Sequence, residues 1–439
     1  MLLDVTAILS TSATWNSVAE AFTVPDFSRT TIAVAPAWTA PERAAWSDAL
    51  YGTDVPADSD PQLVPEQPRP HTLAGLIASH APATDVANWW ATATPAQRLS
   101  LLASSPEALG NLEGVPYEVR DAANRSHLSV TIASLESQIA SGSVGRAASQ
   151  DLQAQLHMLQ QVAAAVETGE SGLRRTLISL DVNDGGRAVI AVGDLATAEY
   201  VSYLVPGMFY SVDSEIGSWA GAADQLAADQ AAWLARLSPN QYGDASSAVA
   251  TVAWIGYQTP TVVNVASLDL AREGRDALTE SLRGLDALRA TGERPYVSIL
   301  AHSYGATAAL LALQENDVTV DALAMVGSPG SPAESVGELK VRDGNVWVAD
   351  ASWDPVSSTG VFGSQPLSDE YGAHHFGVNG AVDPLTGKAL AGSVGHVDYF
   401  TDGSESFRNM ALIGIGRGGF VLDPHGVVDA APRALAAAF

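Results

Sequence analysis

The residues of this chain best suited to chemistry are a serine, an acid and a histidine. Ala301-His302-Ser303-Tyr304-Gly305 closes an apolar, strand-like run and opens a small-residue helix. A serine on such a turn sits on a backbone folded so tightly that its neighbours two before and two after must be tiny. Gly305 meets that demand, and Ala301, in place of the usual glycine, adds only a methyl. A hydroxyl attacks at neutral pH only when a base takes its proton, and the base needs an acid to orient it. In sites of this strand-turn-helix kind the acid and the histidine follow the serine in that order. Asp354 fits the acid, because Ser352-Trp353-Asp354-Pro355-Val356 lies just beyond the strand-like NVWVADA (345–351). Asp350, inside that run, reads as a core or edge residue. Four histidines follow: His374, His375, His396 and His425. His396, in the glycine-bearing loop Ser393-Val394-Gly395-His396 ahead of a last helix, is the expected base. The pair His374-His375 is the alternative, His425 belongs to a tail turn, and His302 is expected to be buried and to point away from Ser303.

Acyl transfer also needs backbone amides aimed at the developing oxyanion. Tyr304, directly after the serine, and Met208, in the loop Val205-Pro206-Gly207-Met208, are the expected donors. Phe209, Tyr210, Trp254, Tyr257 and Trp353 cluster at strand tips and are expected to form an apolar substrate pocket. Arginine and lysine are scarce there, which argues against a phosphorylated substrate. Two letter matches fail on context. Gly414–Gly419 spells G-x-G-x-x-G after the last helix instead of opening a helix after a first strand. Asp181-Val182-Asn183-Asp184-Gly185 lacks the later ligands of a calcium loop. No metal or cofactor is expected.

The elements that must position these groups follow from periodicity. TLISLDV (176–182) and RAVIAVGD (187–194) flank Asn183-Asp184-Gly185-Gly186, a hairpin signal. Strand-like runs at 200–207, 248–257, 296–303, 322–328 and 345–351 then alternate with helical stretches, which predicts a mostly parallel α/β sheet with an N-terminal antiparallel hairpin. Functional groups belong at the carboxyl ends of its strands. Before residue 170 the pattern is mainly helical: Thr94-Pro95-Ala96-Gln97 spells a capping box, and Leu152, Leu156, Leu159, Val162 and Val166 form one stripe. The expected organisation is a helical region over 1–170 with a proline- and acid-rich segment at 53–71, an α/β domain over 172–425, and a tail over 426–439. The apolar stripe and Trp89-Trp90 must be buried against something; the carboxyl edge of the sheet, where the helices would shape the substrate mouth, is the expected place, and docking on the sheet's flank or in a dimer contact for stability alone is the alternative.

Composition bounds the function class. The 439 residues carry 49 Asp+Glu, 22 Lys+Arg and no cysteine, for a net charge of −27. That balance disfavours nucleic acid and anionic membranes, and the missing thiols exclude disulfides and thiolate catalysis. No run approaches a membrane span, and the N-terminus lacks a basic signal region, so a cytoplasmic protein without membrane insertion is expected.

Several separated stretches together resemble an actinobacterial α/β-hydrolase family: Leu109–Pro116 with Arg120-Asp121 and Ala123-Asn124-Arg125, Ala191–Leu195, Leu204–Met208, Val252–Tyr257, His302–Gly305, Gly327–Gly330 and Asp354–Val356. The likeness runs from about 85 to 415, with Ala301 standing where the family typically has glycine. It implies an α/β-hydrolase fold and a Ser-His-Asp hydrolase of unspecified substrate. Residues and resemblance together predict an esterase or lipase acting on a small or lipid-like ester through an acyl-enzyme. The alternatives are an acyltransferase or amidase on the same triad, or an interaction or secretion-associated protein with a vestigial site.

Overall fold

The computed structural model describes residues 72–428, apart from 143–144, 184, 243–244, 262–263 and 358. The expected segment 53–71, the chain before it and the tail beyond 428 lie outside the described residues. All described residues belong to one compact unit.

Eight strands form one sheet: β1 (Arg175–Asp181), β2 (Arg187–Val192), β3 (Tyr200–Val205), β4 (Val249–Ile255), β5 (Tyr296–His302), β6 (Ala322–Val326), β7 (Val346–Ala349) and β8 (His374–His375). Their order is β1-β2-β4-β3-β5-β6-β7-β8. β1 and β2 pair antiparallel, as the hairpin signal predicts; β2 pairs antiparallel with β4, and every later pairing is parallel. Every residue of β4 is buried, the continuous apolar run expected of a strand covered on both faces.

Helices named from the first described one are α1 (Leu73–Ala78), α2 (Ala83–Thr92), α3 (Pro95–Ser104), α4 (Pro106–Gly110), α5 (Tyr117–Ser141), α6 (Arg146–Ala165), α7 (Val212–Leu237), α8 (Asp269–Leu288), α9 (Tyr304–Glu315) and α10 (Glu405–Gly414). The predicted capping box starts α3: Thr94 Oγ1 accepts from the Gln97 amide at 3.3 Å and Gln97 Oε1 accepts from the Thr94 amide at 2.8 Å. On one face of the sheet α5, α6, α7 and α10 bury Leu128, Leu159, Trp219 and Phe407; on the other, α8 and α9 bury Leu278, Leu282 and Leu310. None of the described helices is long and apolar enough to cross a membrane.

The helical region corrects one expectation. Its helices pack along the β1 edge and the flank of α8, not over the carboxyl edge of the sheet. Trp90 is buried in a small cluster with Val86, Leu109 and Val119, while Leu128, Leu135 and Leu159 join the core of the sheet itself. Periodicity required burial but carried no information about which surface would supply it. The reason for the β1 edge lies in three polar residues. Asp121 Oδ1 accepts from the Leu177 amide at 2.7 Å, and Asn124 Nδ2 donates to Leu177 O at 3.0 Å. Asn111 both accepts from the Leu180 amide at 2.9 Å and donates to Leu180 O at 2.8 Å. These side chains take the place of a ninth strand on an edge that would otherwise present open donors and acceptors.

Candidate active site

The sequence folds into a sharp turn at Ser303 because β5 ends and α9 begins with no intervening loop. Ser303 has φ 55° and ψ −129°, a strained backbone for a residue with a Cβ. A Cβ on Gly305 would stand 2.3 Å from Pro206 O, so the second small position is sterically obligatory. Ala301 is fully buried in β5 and its methyl is accommodated. Tyr304, directly after the serine, is the first residue of α9.

The structure brings Ser303, His396 and Asp354 together. The Ser303 hydroxyl donates to His396 Nε2 at 2.7 Å, and His396 Nδ1–H donates to Asp354 Oδ1 and Oδ2 at 2.9 and 3.0 Å. Tyr399 donates its hydroxyl to Asp354 Oδ2 at 2.5 Å while accepting from the Ala351 amide, and the Val356 amide donates to Asp354 Oδ1 at 2.8 Å. Burial alone pushes the Asp354 carboxyl up, but His396, Tyr399 and the Val356 amide more than offset it and leave it below the ordinary carboxylate value. Burial and the adjacent Asp354 charge raise Tyr399, so it stays a phenol and a donor.

His302 takes a role the sequence left unspecified. Its Nε2–H donates to the backbone carbonyl of His396 at 2.6 Å, so the residue before the serine holds the loop that carries the base. The ring is 2% exposed and its Nδ1 has no partner among the described residues. Burial, then the nearby His396 ring, pushes its pKa down to about 3. An ordinary unfolded histidine titrates near 6.5, so between these values the unfolded chain binds the extra proton. This contribution is full above pH 6.5 and lost progressively as the pH falls toward 3. Relative to His302→Gln, the wild type should lose on the order of 3 kcal/mol of unfolding free energy between pH 7 and 4. Parallel urea titrations of the two proteins measure it, and identical pH profiles would contradict a buried neutral imidazole.

The loop carrying Met208 is held against the serine. A Cβ on Gly207 would stand 2.4 Å from Ser303 Cβ and 2.9 Å from His302 O, so only glycine admits this approach. Tyr257 donates its hydroxyl to Pro206 O at 2.8 Å, and the Phe209 amide donates to Pro260 O at 3.1 Å. These contacts fix the residues on either side of Met208, with Gly207 against Ser303.

The five expected pocket residues divide. Phe209 is 45% and Trp353 90% exposed, the first following Met208 and the second preceding Asp354 in sequence. Tyr210 turns inward, its ring 5.9 Å from that of His302 and 4.9 Å from Trp219. Trp254 and Tyr257 are a correction: each is 1% exposed and they stack on one another at 5.8 Å in the core between the sheet and α8. They sit at the end of a strand buried on both faces, so their aromatic type marked packing, with Tyr257 also bracing Pro206. His374 and His375 form β8 and do not bond the serine; the His374 ring packs at a tilt against Trp347, 4.9 Å between centres. Asp350 is exposed, next to Ser357 and not His396. His425 lies in an exposed turn whose amide donates to Asp423. Among the described residues no group of carboxylates and histidines could hold a metal ion.

Comparison with known proteins adds the lineage. A family model described as alpha/beta hydrolase matches residues 181–364. An uncharacterised protein of Mycobacterium tuberculosis is 27% identical over 418 residues, covering 84% of this chain and 60% of the relative. This chain thus spans 60% of the length of that relative. A second relative, an uncharacterised protein of Mycobacterium bovis, is 31% identical over 217 residues, covering 48% of this chain and 79% of that protein. Among solved structures, a hyperthermophilic esterase from the archaeon Pyrobaculum calidifontis aligns with a TM-score of 0.35 at 13% identity, over 60% of this chain and 91% of that one. The sheet order, the turn at Ser303 and a relative matched over four-fifths of its length agree: the chain belongs to an actinobacterial family of α/β hydrolases.

Proposed function

We propose that the protein is a serine hydrolase that cleaves carboxylic esters through an acyl-enzyme. The observation that carries this reading is the continuous chain from the Ser303 hydroxyl through His396 to Asp354 on a strained strand-to-helix turn. Ser303 Oγ attacks the ester carbonyl as His396 Nε2 takes its proton. Asp354 orients the imidazole and stabilises the imidazolium that results. The tetrahedral oxyanion is held by the amides of Met208 and Tyr304. His396 returns the proton to the leaving alcohol, and water then repeats the sequence in reverse roles to free the acid and Ser303. A filled and hydrogen-bonded triad supports an active site over a vestigial one, and neither an acyl acceptor other than water nor an amide is required by it.

A fluorophosphonate probe tests the reading directly. The wild type should gain one covalent adduct at Ser303, mapped by peptide mass spectrometry, with loss of activity on a soluble short-chain nitrophenyl ester. A folded wild type that gains no adduct would refute it.

Gly207→Ala provides a second test, this one of the oxyanion loop. The added methyl must push the loop or Ser303 by a few tenths of an ångström to about 1 Å, and displacements of that size cost about a hundredfold. A kcat/KM fall of about that size is expected on the soluble ester. A variant within threefold of wild type would show that the loop does not contact the reacting group.

A further inference from the structure

Four of the ten large apolar side chains exposed among the described residues adjoin the candidate catalytic groups in sequence. Phe209 follows Met208, Trp353 precedes Asp354, and Val394 and Val397 bracket His396, with exposures of 45%, 90%, 60% and 54%. A backbone bridge pairs Ser352 with Val394, and the Gly395 amide donates to Ser352 O at 3.0 Å, so the Trp353 turn and the His396 loop form one surface.

Two of these residues are held outward at a cost. Phe209 has φ 68° and Trp353 φ 67°, left-handed conformations that bulky residues seldom adopt. An aromatic ring in water gains no packing to offset that strain, and strained conformations persist where the surrounding structure enforces them for a function. For Phe209 the enforcement is visible, since its own amide is tied to Pro260 O and the Pro206 carbonyl to Tyr257.

Charge identifies the occupant. From 345 to 404 the chain carries Lys388 as its one lysine or arginine, against Asp350, Asp369, Glu370, Asp398 and Asp402 at the surface and Asp354 and Asp383 with their carboxylates buried, and 206–211 carries no charge at all. Such a rim, with acids outnumbering Lys388, has little with which to engage phosphate headgroups and repels an anionic surface. Resting on the ester-hydrolase reading, we propose that this rim docks onto the surface of an aggregated, uncharged lipid ester, so that acyl chains meet Phe209, Trp353, Val394 and Val397 while an ester carbonyl enters beside Ser303. The substrate class is therefore a water-insoluble neutral ester presented at an interface.

The test separates docking from turnover. Full-length Ser303→Ala is floated with a trioleoylglycerol emulsion, with phosphatidylcholine vesicles, and with vesicles containing one-third phosphatidylglycerol. Capture by the emulsion, falling about tenfold in Ser303→Ala variants that also carry Trp353→Ser with Val397→Ser, or Val394→Asp, is the expected result. Equal capture of the rim variants, no capture by the emulsion, or stronger capture by the anionic vesicles would overturn the proposal. In parallel, wild-type hydrolysis of tributyrin should rise more steeply above its solubility limit than below it, and the rim variants should lose that rise. A protein that floats by its rim yet hydrolyses nothing retains the docking surface and loses the ester-hydrolase reading; one that hydrolyses soluble ester with no rise at the interface does the reverse.

Discussion

Ser303→Ala should lower turnover of a soluble ester by about three orders of magnitude or more, with KM little changed. His396→Ala should do nearly as much, and the double variant scarcely more than either alone, because a serine without its base and a base without its serine are equally unable to form the acyl-enzyme. Steady-state kinetics on the three proteins, with circular dichroism to show that each is folded, measures the effect. Multiplicative losses would mean that the two residues act independently and would remove the proton transfer proposed between them. The 2.7 Å contact is the reason to expect otherwise.

Asp121→Ala should cost about 3–5 kcal/mol of folding stability although the residue lies in the helical region remote in sequence from the serine. Its carboxylate is 2% exposed and accepts from the Leu177 amide, from Arg125 Nε at 2.8 Å and from Arg174 at 3.0 Å. Removing it leaves a buried edge amide and two guanidinium groups without that acceptor. Asp121→Asn retains an oxygen for Leu177 and should lose roughly half as much. Urea midpoints for the three proteins decide it; an Asp121→Ala midpoint equal to wild type would show that water reaches the β1 edge and substitutes for the side chain.

What could be read from the sequence was what local chemistry enforces. The turn at Ser303 was legible because strand, serine and tiny neighbours are contiguous, and Gly305 proves sterically obligatory. His396 and Asp354 were legible only by chain order and loop context, since nothing local distinguishes them from His374 or Asp350. Tyr399 was not legible: its bond to Asp354 is made 45 residues away in sequence, and a tyrosine three residues past a histidine carries no periodic signal. The same holds for His302, whose partner is a backbone carbonyl. Trp254 and Tyr257 misled because strand-tip aromatics look alike whether they face a pocket or a helix. The place of the helical region was hidden for a related reason. Its apolar stripes state that a partner exists, whereas Asn111, Asp121 and Asn124 name that partner through hydrogen bonds to β1 that only the folded chain reveals.

That polar seam also bears on how the molecule is made. Ribosomes deliver a chain from its amino end, and early segments can form structure while later ones are still being synthesised. Here α4 and α5 precede β1, so Asn111, Asp121 and Asn124 have left the ribosome before Leu177 and Leu180 exist. The cover is on hand when the strand arrives, and the nascent sheet need never offer its bare margin to another chain in a crowded polysome. Reversing that order by circular permutation, with the helices appended after α10, would leave the folded contacts available but expose the margin throughout synthesis.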